Sequence, residues 1–424
     1  MIAKLAKYFL LILFISTSFV SFSQWTCRSK LGASLKPIIK DKPLLWAAEV
    51  TLGEGFMNDR EIRNAMVFLG FDYSFKKSQF YIEGGFKSWY NSLGAPENLK
   101  TPFQQSKPGA REVFYRFRDK KNDLIIGLHS MKIDDYFLVN ERGMGLSYRK
   151  TKDDWKYNFS LATVGKDFSR FGTFCSVHYL YNLLKDRNLA YLGNKPGQTN
   201  FASFIVSWNP SGKKKSKAVS DDGFEEFSEF ESDDETKPKF NPLKQLGYLV
   251  YGEFGSWIDT MPFYTGVFSK LEFFGVELKI EALIHIKENN NALVINPSIQ
   301  KTKEWDNGSR TLFSLGYFNK IDIDKNAFVF PSFSNLFAGE ALRMDVVDLP
   351  LIQMAGRHNF PKYKTQIKAQ LVKQFADTDF QEIDMSVGKT FGKHTKLTLM
   401  FSRITAKQLL EIFYLGRLEL RITI

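Results

Sequence analysis

The chain is 424 residues long, carries a formal net charge of +12 and is 15% aromatic, with 41 phenylalanines. After Gln24 there is no run of eighteen or more apolar residues, which excludes a membrane-spanning helix. Lysines and arginines are spread over the whole length instead of forming one patch, so nucleic acid is not the expected partner, whereas anionic lipid headgroups or anionic solutes are.

The first residues set the compartment. Lys4 and Lys7 precede the apolar stretch Tyr8 to Ile15, and Ser21-Phe22-Ser23 supplies a small-x-small pattern. Residues 1–23 are therefore expected to be a secretory signal peptide, cut after Ser23. Gln24-Trp25-Thr26 does not resemble the segment that precedes a lipidated cysteine, so Cys27 is not expected to carry an anchor. Cys27 and Cys175 are the two cysteines, and a count of two leaves their pairing open. A mean hydropathy of −0.25 suits a soluble protein, and equally a barrel in which only every second strand residue meets lipid. The aromatic content favours the barrel, whose girdles sit at both membrane interfaces.

From residue 44 onward the chain divides into segments with a two-residue period. Ala65, Val67, Leu69, Phe71, Tyr73 and Phe75 share one face, and Lys76-Lys77-Ser78 turns the chain. Phe80, Ile82, Gly84 and Phe86 continue the apolar face, with Glu83 and Lys87 opposite. Residues 91–110, rich in Pro, Gly and Gln, are expected to form a loop. Val113, Tyr115 and Phe117 then alternate with Phe114, Arg116 and Arg118, and Asp119 to Asp123 turns into Leu124, Ile126 and Leu128. Leu146 and Tyr148 lead through Thr151 to Asp154 into Trp155, Tyr157, Phe159 and Leu161. Short and long connections alternate here, as they do between the periplasmic and external ends of outer-membrane barrels.

Residues 182–200 fit either a loop or one more strand, and Phe201 to Trp208 is a strand. Residues 211–242 hold Lys213, Lys214, Lys215 and Lys217, then acidic residues from Asp221 to Glu235. They are expected to form a disordered loop. Counting strands from the N-terminus puts this loop outside the cell; counting back from the C-terminus puts it in the periplasm. The alternation is clearest where Val276, Leu278, Ile280, Ala282, Ile284 and Ile286 oppose Glu277, Lys279, Glu281, Leu283, His285 and Lys287. Four strands close the chain. In the last, Leu418, Leu420, Ile422 and Ile424 are set against Arg417, Glu419 and Arg421, and its expected partner is the strand near 45–52. The predicted fold is all-β: a periplasmic segment at 24–43, then a closed antiparallel transmembrane β-barrel of about 16–18 strands over 44–424.

The mature chain as a whole resembles Gram-negative outer-membrane β-barrels. Locally, Gly127 to Tyr148, with Glu141-Arg142-Gly143 opening a strand, is similar to the layout in porin-like and alginate-export-like barrels. The resemblance implies an outer-membrane location, lipid and lipopolysaccharide as surroundings, and a channel-lining role for Arg142. The chain departs from such barrels in ending on Ile424, where many end on Phe or Trp.

The inward faces carry Glu83, Lys87, Arg116, Arg118, Glu277, Lys279, Glu281, Lys364, Lys368, Arg417, Glu419 and Arg421, eight basic and four acidic residues. Such residues can solvate a wet lumen, form a salt-bridged plug, or select solutes as charged rings do. The functional expectation is a passive channel for small hydrophilic solutes, leaning toward anions. The alternative is a closed barrel serving a structural, assembly or secretion complex, with the acidic loop as a contact for a surface protein. For an enzyme the sequence offers little. No HExxH, Walker, dinucleotide or G-x-S-x-G motif is present, no cofactor or metal is implied, and His129 and Ser130 point to opposite strand faces. His285 and Glu281 share an inward face as the one acid/base constellation.

Overall fold

The computed structural model describes residues 36–37, 44–58, 60–92, 103–133, 138–164, 199–210, 242–255, 262–286, 291–322, 350–375, 379–407 and 412–424. The signal peptide, most of segment 24–43, both cysteines and loop residues 211–241 lie outside the described residues.

Strands β1 (Lys36–Pro37) and β2 (Leu44–Met57) open the chain. They are followed by β3 (Arg60–Phe75), β4 (Ser78–Asn91), β5 (Phe103–Arg118), β6 (Asn122–Ile133), β7 (Val139–Lys152) and β8 (Trp155–Val164). Next come β9 (Thr199–Trp208), β10 (Leu243–Gly255), β11 (Phe263–Phe273), β12 (Val276–Ile286), β13 (Ala292–Ile295) and β14 (Ser298–Glu304). The chain ends with β15 (Arg310–Asp322), β16 (Leu351–Phe360), β17 (Thr365–Gln374), β18 (Gln381–Phe391), β19 (Thr395–Thr405) and β20 (Phe413–Thr423).

Each strand pairs antiparallel with its sequence neighbours, and β20 closes onto β2 from Glu49↔Thr423 to Met57↔Leu415. This is the closure expected between the last strand and residues 45–52. β13 and β14 both lie between β12 and β15 and form one strand interrupted at Asn296-Pro297. Pro297 has no N–H to give a ladder, and the Asn296 N–H still reaches the Glu281 carbonyl at 2.9 Å. β1 only occupies the edge of β2 at Leu45 and Trp46, so the closed barrel has 18 strands.

Alternation decides what each face meets. Val67 is 50% exposed, Ile82 53%, Met385 52% and Leu399 56%, while Phe68, Glu83, Asp384 and Met400 beside them in the chain are buried. An apolar surface of this extent is untenable in water, and in lipid it is the favourable solvent. No helix among the described residues is long and apolar enough to cross a membrane, and strands make the crossing here. Closure of β20 onto β2 leaves neither terminal strand as a free edge, so their backbone N–H and C=O groups are paired within the wall.

At one end lie the short connections after β3, β5, β7, β11, β14, β16 and β18, together with the start of β2 and the end of β20. Both residues of the Phe274-Gly275 turn have positive φ, 51° and 73°, the twist that a two-residue hairpin requires. The β9–β10 connection, which carries residues 211–241, leaves from this same end. Its flanks are tied by Trp155↔Trp208 and by the Asn209 N–H to the Asp154 carbonyl at 2.8 Å. In outer-membrane barrels the end with short turns is the periplasmic one, and the end from which the β9–β10 connection leaves agrees with the count made back from the C-terminus. β8 pairs directly with β9, which begins at Thr199, and residues 182–198 lie outside the described residues.

Two further expectations are corrected. Residues 91–110 are not all loop, because β5 starts at Phe103 and its first half pairs with β4. Pro108 is tolerated there because β5 pairs with β6 only from Val113 onward, leaving that stretch with one described neighbour. Nor do short and long connections alternate strictly: β2 and β3 are joined at the long-loop end by Asn58 and Asp59 alone.

Candidate functional site

The inward face holds two contrasting walls. The first crosses the closing seam. Arg417, Glu419 and Arg421 on β20, Glu49 on β2, Glu83 and Tyr81 on β4 and Arg111 on β5 form one lattice of charge. Arg417 Nη2 lies 3.4 Å from Glu419 Oε2, Arg421 Nη2 3.7 Å from Glu419 Oε1, and Arg421 Nε 3.9 Å from Glu49 Oε2. Arg111 Nη1 lies 3.1 Å from the other Glu49 oxygen, its Nε contacts Glu83, and Tyr81 donates to Glu83 at 2.7 Å. The Arg111 guanidinium also rests over the Phe68 ring at 3.7 Å. Three arginines balance three glutamates, and all but the partly buried Arg421 are buried, so this wall is packed and not a bare basic strip.

A register irregularity makes the lattice possible. Glu83 pairs with Glu112 but Gly84 pairs with Ala110, so Arg111 is the extra residue of a bulge. A bulge re-aims a side chain, and here it brings a buried cation between two carboxylates. Sequence alternation does not show Arg111, because the regular period of this strand starts only at Val113. It does not single out Glu49 either, since Ala47, Glu49 and Thr51 sit among apolar neighbours on both faces, and the usable signal is the lone charge in Leu44–Leu52.

The second wall lies about half the circumference away, on β9 to β12. Phe201, Tyr251, Tyr264 and His285 form an inward row, with ring centroids 5.9, 5.7 and 4.9 Å apart in turn. Tyr251 donates to Glu253 at 2.7 Å. Their apolar neighbours Tyr248, Phe204, Phe263 and Ile284 face outward and are exposed. Lys279 and Asn296 hold Glu281 at 3.3 and 3.1 Å. Glu281 and His285 are four strand residues apart, roughly 13 Å, and His285 stacks on Tyr264, so they do not form an acid/base pair. His129 and Ser130 likewise go to different partners, Ser147 at 2.8 Å and Glu112 at 2.5 Å. Among the described residues no three His, Cys, Asp or Glu side chains group to hold a metal.

The other candidates divide by height. Arg116 lies near the periplasmic mouth and grips Asp123 with two bonds of 2.7 and 2.5 Å. Arg118 is exposed beside the turn, and Glu277, opposite Glu272, lies 4.0 Å from Lys270. Lys368 stands on the inward face of β17, directly across from Arg357 on β16. Lys87 pairs with Met66 and Lys107 in the backbone register, and its side chain lies outside the described residues.

One candidate is corrected. Lys364 is not on the wall: it caps the short turn Pro361–Tyr363 in the left-handed region at φ 48°, exposed. Arg142 is 1% exposed on β7, opposite Ser130 of β6, whose hydroxyl donates to Glu112 at 2.5 Å.

No family model matches the sequence, and no curated protein does. Solved structures match over nearly the whole length. Pseudomonas aeruginosa OccK7 (OpdD) superposes with a TM-score of 0.54 at 9% identity, covering 91% of this chain and 99% of that one. Pseudomonas aeruginosa OccD3 (OpdP) gives 0.53 at 9% identity, with 96% of each chain covered. The outer membrane protein opdK from Pseudomonas aeruginosa gives 0.51 at 9% identity, covering 89% and 98%. The fold is that of an outer-membrane barrel. At such low identity the likeness is one of fold.

Proposed function

We propose that this outer-membrane barrel is a porin-like passive channel for small hydrophilic solutes, with a preference for anions. The observation that carries the reading is an inward surface rich in charged and polar side chains along the full circuit of a closed barrel, from Glu49 to Glu419. A wall built only to fill space would be cheaper in apolar residues, because each buried charge must recover its desolvation.

The anion preference is supported by the like-charged cross-strand pair Arg357↔Lys368 on the inward face of β16 and β17. Both side chains stand on the lumen face, where their positive charge adds to the potential that an entering anion meets. The carboxylates Glu382 and Asp384 stand further along the neighbouring strand toward the long-loop end. Single-channel recording in planar bilayers tests the reading. Conductance with a reversal potential on the anion side is expected, and Lys368→Glu moves it toward cations. A folded barrel that never conducts would sink the channel reading in favour of a structural or assembly role, in which the acidic β9–β10 connection is the natural contact for a partner.

A further inference from the structure

The lipid-facing wall over β14, β15 and β16 departs from the apolar exterior as it nears the periplasmic turns. Ile299 on β14 is outward and exposed, and the next residues on the same face are Lys301 and Lys303, both exposed, and then Trp305. On β15 the outward set Leu315 and Phe313 ends at Thr311, and on β16 the outward set Ile352 and Met354 ends at His358 and Phe360. The register aligns them: Lys303 pairs with Thr311, and Thr311 with His358.

These side chains are held together. Trp305 Nε1 donates to Thr311 Oγ1 at 2.7 Å, and Thr311 Oγ1 lies 2.8 Å from His358 Nδ1. An indole N–H can only donate, so the hydroxyl proton is free to go to Nδ1, and Nε2 is the protonated nitrogen of the imidazole. His358 stacks on Phe360 with centroids 4.1 Å apart, and Lys303 Nζ sits 3.9 Å from the centroid of the Trp305 ring. Glu304 alternates to the inward face opposite Arg310, and Asp306 belongs to the turn, so the outward patch carries two cations and no carboxylate.

Similar lysine–aromatic contacts recur around the rim, at Lys76 over Phe75, Lys362 over Tyr363 and Lys389 over Phe391. Snorkelling alone accounts for those. At β14–β16 there are in addition two lysines on one face, an oriented imidazole donor and a rigid indole, at the depth where headgroups lie. We propose that this patch binds the phosphate of an anionic phospholipid of the periplasmic leaflet, with Lys301 and Lys303 supplying the charge, His358 Nε2–H a directed donor and Trp305 the bed for the glycerol region. A zwitterionic lipid brings its own cation and gains less. The site is independent of whether the lumen conducts.

Native mass spectrometry of the folded full-length barrel tests this, with phosphatidylglycerol and phosphatidylcholine offered in equal amounts. Retention of phosphatidylglycerol over phosphatidylcholine is expected. Each lysine near an anionic surface supports roughly a fivefold preference, so K301Q/K303Q should lower it about twenty-five-fold, with K303R retaining it. Lys396→Gln, on the inward face, should leave it unchanged. Equal retention of the two lipids by the wild-type barrel, a measurement that needs no variant, would overturn the proposal. So would an unaltered preference in the folded double variant. Displacement by excess inorganic phosphate would also overturn it, since the site would then select the free ion and not a lipid.

Discussion

Arg111 on β5 and Glu49 on β2, three strands apart around the wall, meet in a 3.1 Å ion pair with neither side chain more than 1% exposed. The pair spans the strands between them and connects the closing seam of the barrel to β5. Glu83 takes a second edge of the same guanidinium, so one cation stands between two buried carboxylates. Removing it takes away the cation both carboxylates share and leaves Glu49 with the longer Arg421 contact and Glu83 with Tyr81, which costs more than the net value of the intact network.

Arg111→Leu is therefore expected to destabilise the barrel by about 3–5 kcal/mol. The lower temperature at which the heat-modifiable band converts to its unfolded mobility would read this out. The triple change E49Q/E83Q/R111M removes all three charges together and should recover most of the loss. A single variant as stable as wild type would show that the lattice contributes nothing.

The architecture was legible in the sequence because lipid imposes a strict rule on alternate residues. Leu418, Leu420 and Ile422 had to face outward, and Arg417, Glu419 and Arg421 inward, once closure was granted. What was illegible came from breaks in the period. A bulge hides Arg111, an interrupted ladder divides β13 from β14, and Pro108 sits where β5 has one described neighbour. Lys364 was misplaced because a left-handed turn residue continues the strand spacing in sequence but not in space. The aromatic row on β9 to β12 could not be seen, because only the register shows that Phe201, Tyr251, Tyr264 and His285 lie beside one another.

Selectivity at the periplasmic mouth should depend on how far Arg116 is neutralised. Asp123 holds it by two bonds, and both groups are partly exposed. Asp123→Asn removes one negative charge and frees the guanidinium toward the lumen. Anion permeability relative to cation should rise, by no more than about fivefold, which is what ~1 kcal/mol of charge interaction in a wet site supports. Reversal potentials in a salt gradient measure this, and an unchanged ratio would place the mouth outside the selective region.

Gly127 on β6 has φ 124°, a region that side chains rarely adopt, and an added Cβ would meet the Val113 carbonyl and lie 2.9 Å from Phe114 Cα. It stands next to the point where β5 and β6 part company, opposite Phe114. Gly127→Ala should cost about 1–3 kcal/mol from backbone strain alone. Gly392→Ala, whose left-handed turn at φ 61° has open space for the methyl, should cost less. Urea midpoints of the two variants in the same detergent test the order, and an equal loss would mean that the crowding at Gly127 is relieved by movement of β5.

The turn between β5 and β6 should respond to acid through Asp119. Its carboxylate accepts the Lys121 and Asn122 backbone N–H groups at 2.8 and 2.7 Å, and these bonds hold its pKa below the ordinary aspartate value. A group whose pKa is lower folded than unfolded stabilises the fold above the unfolded value. That contribution is lost as pH falls through the folded one. Asp119→Ala should therefore lower the refolding yield of the β5–β6 hairpin region at neutral pH, and the difference from wild type should vanish in strong acid, where the wild-type carboxyl is protonated. Protease nicking between Arg118 and Asn122, followed across pH in both proteins, gives the measurement. If the gap between them stays constant down to strong acid, Asp119 acts through its shape and not through its charge.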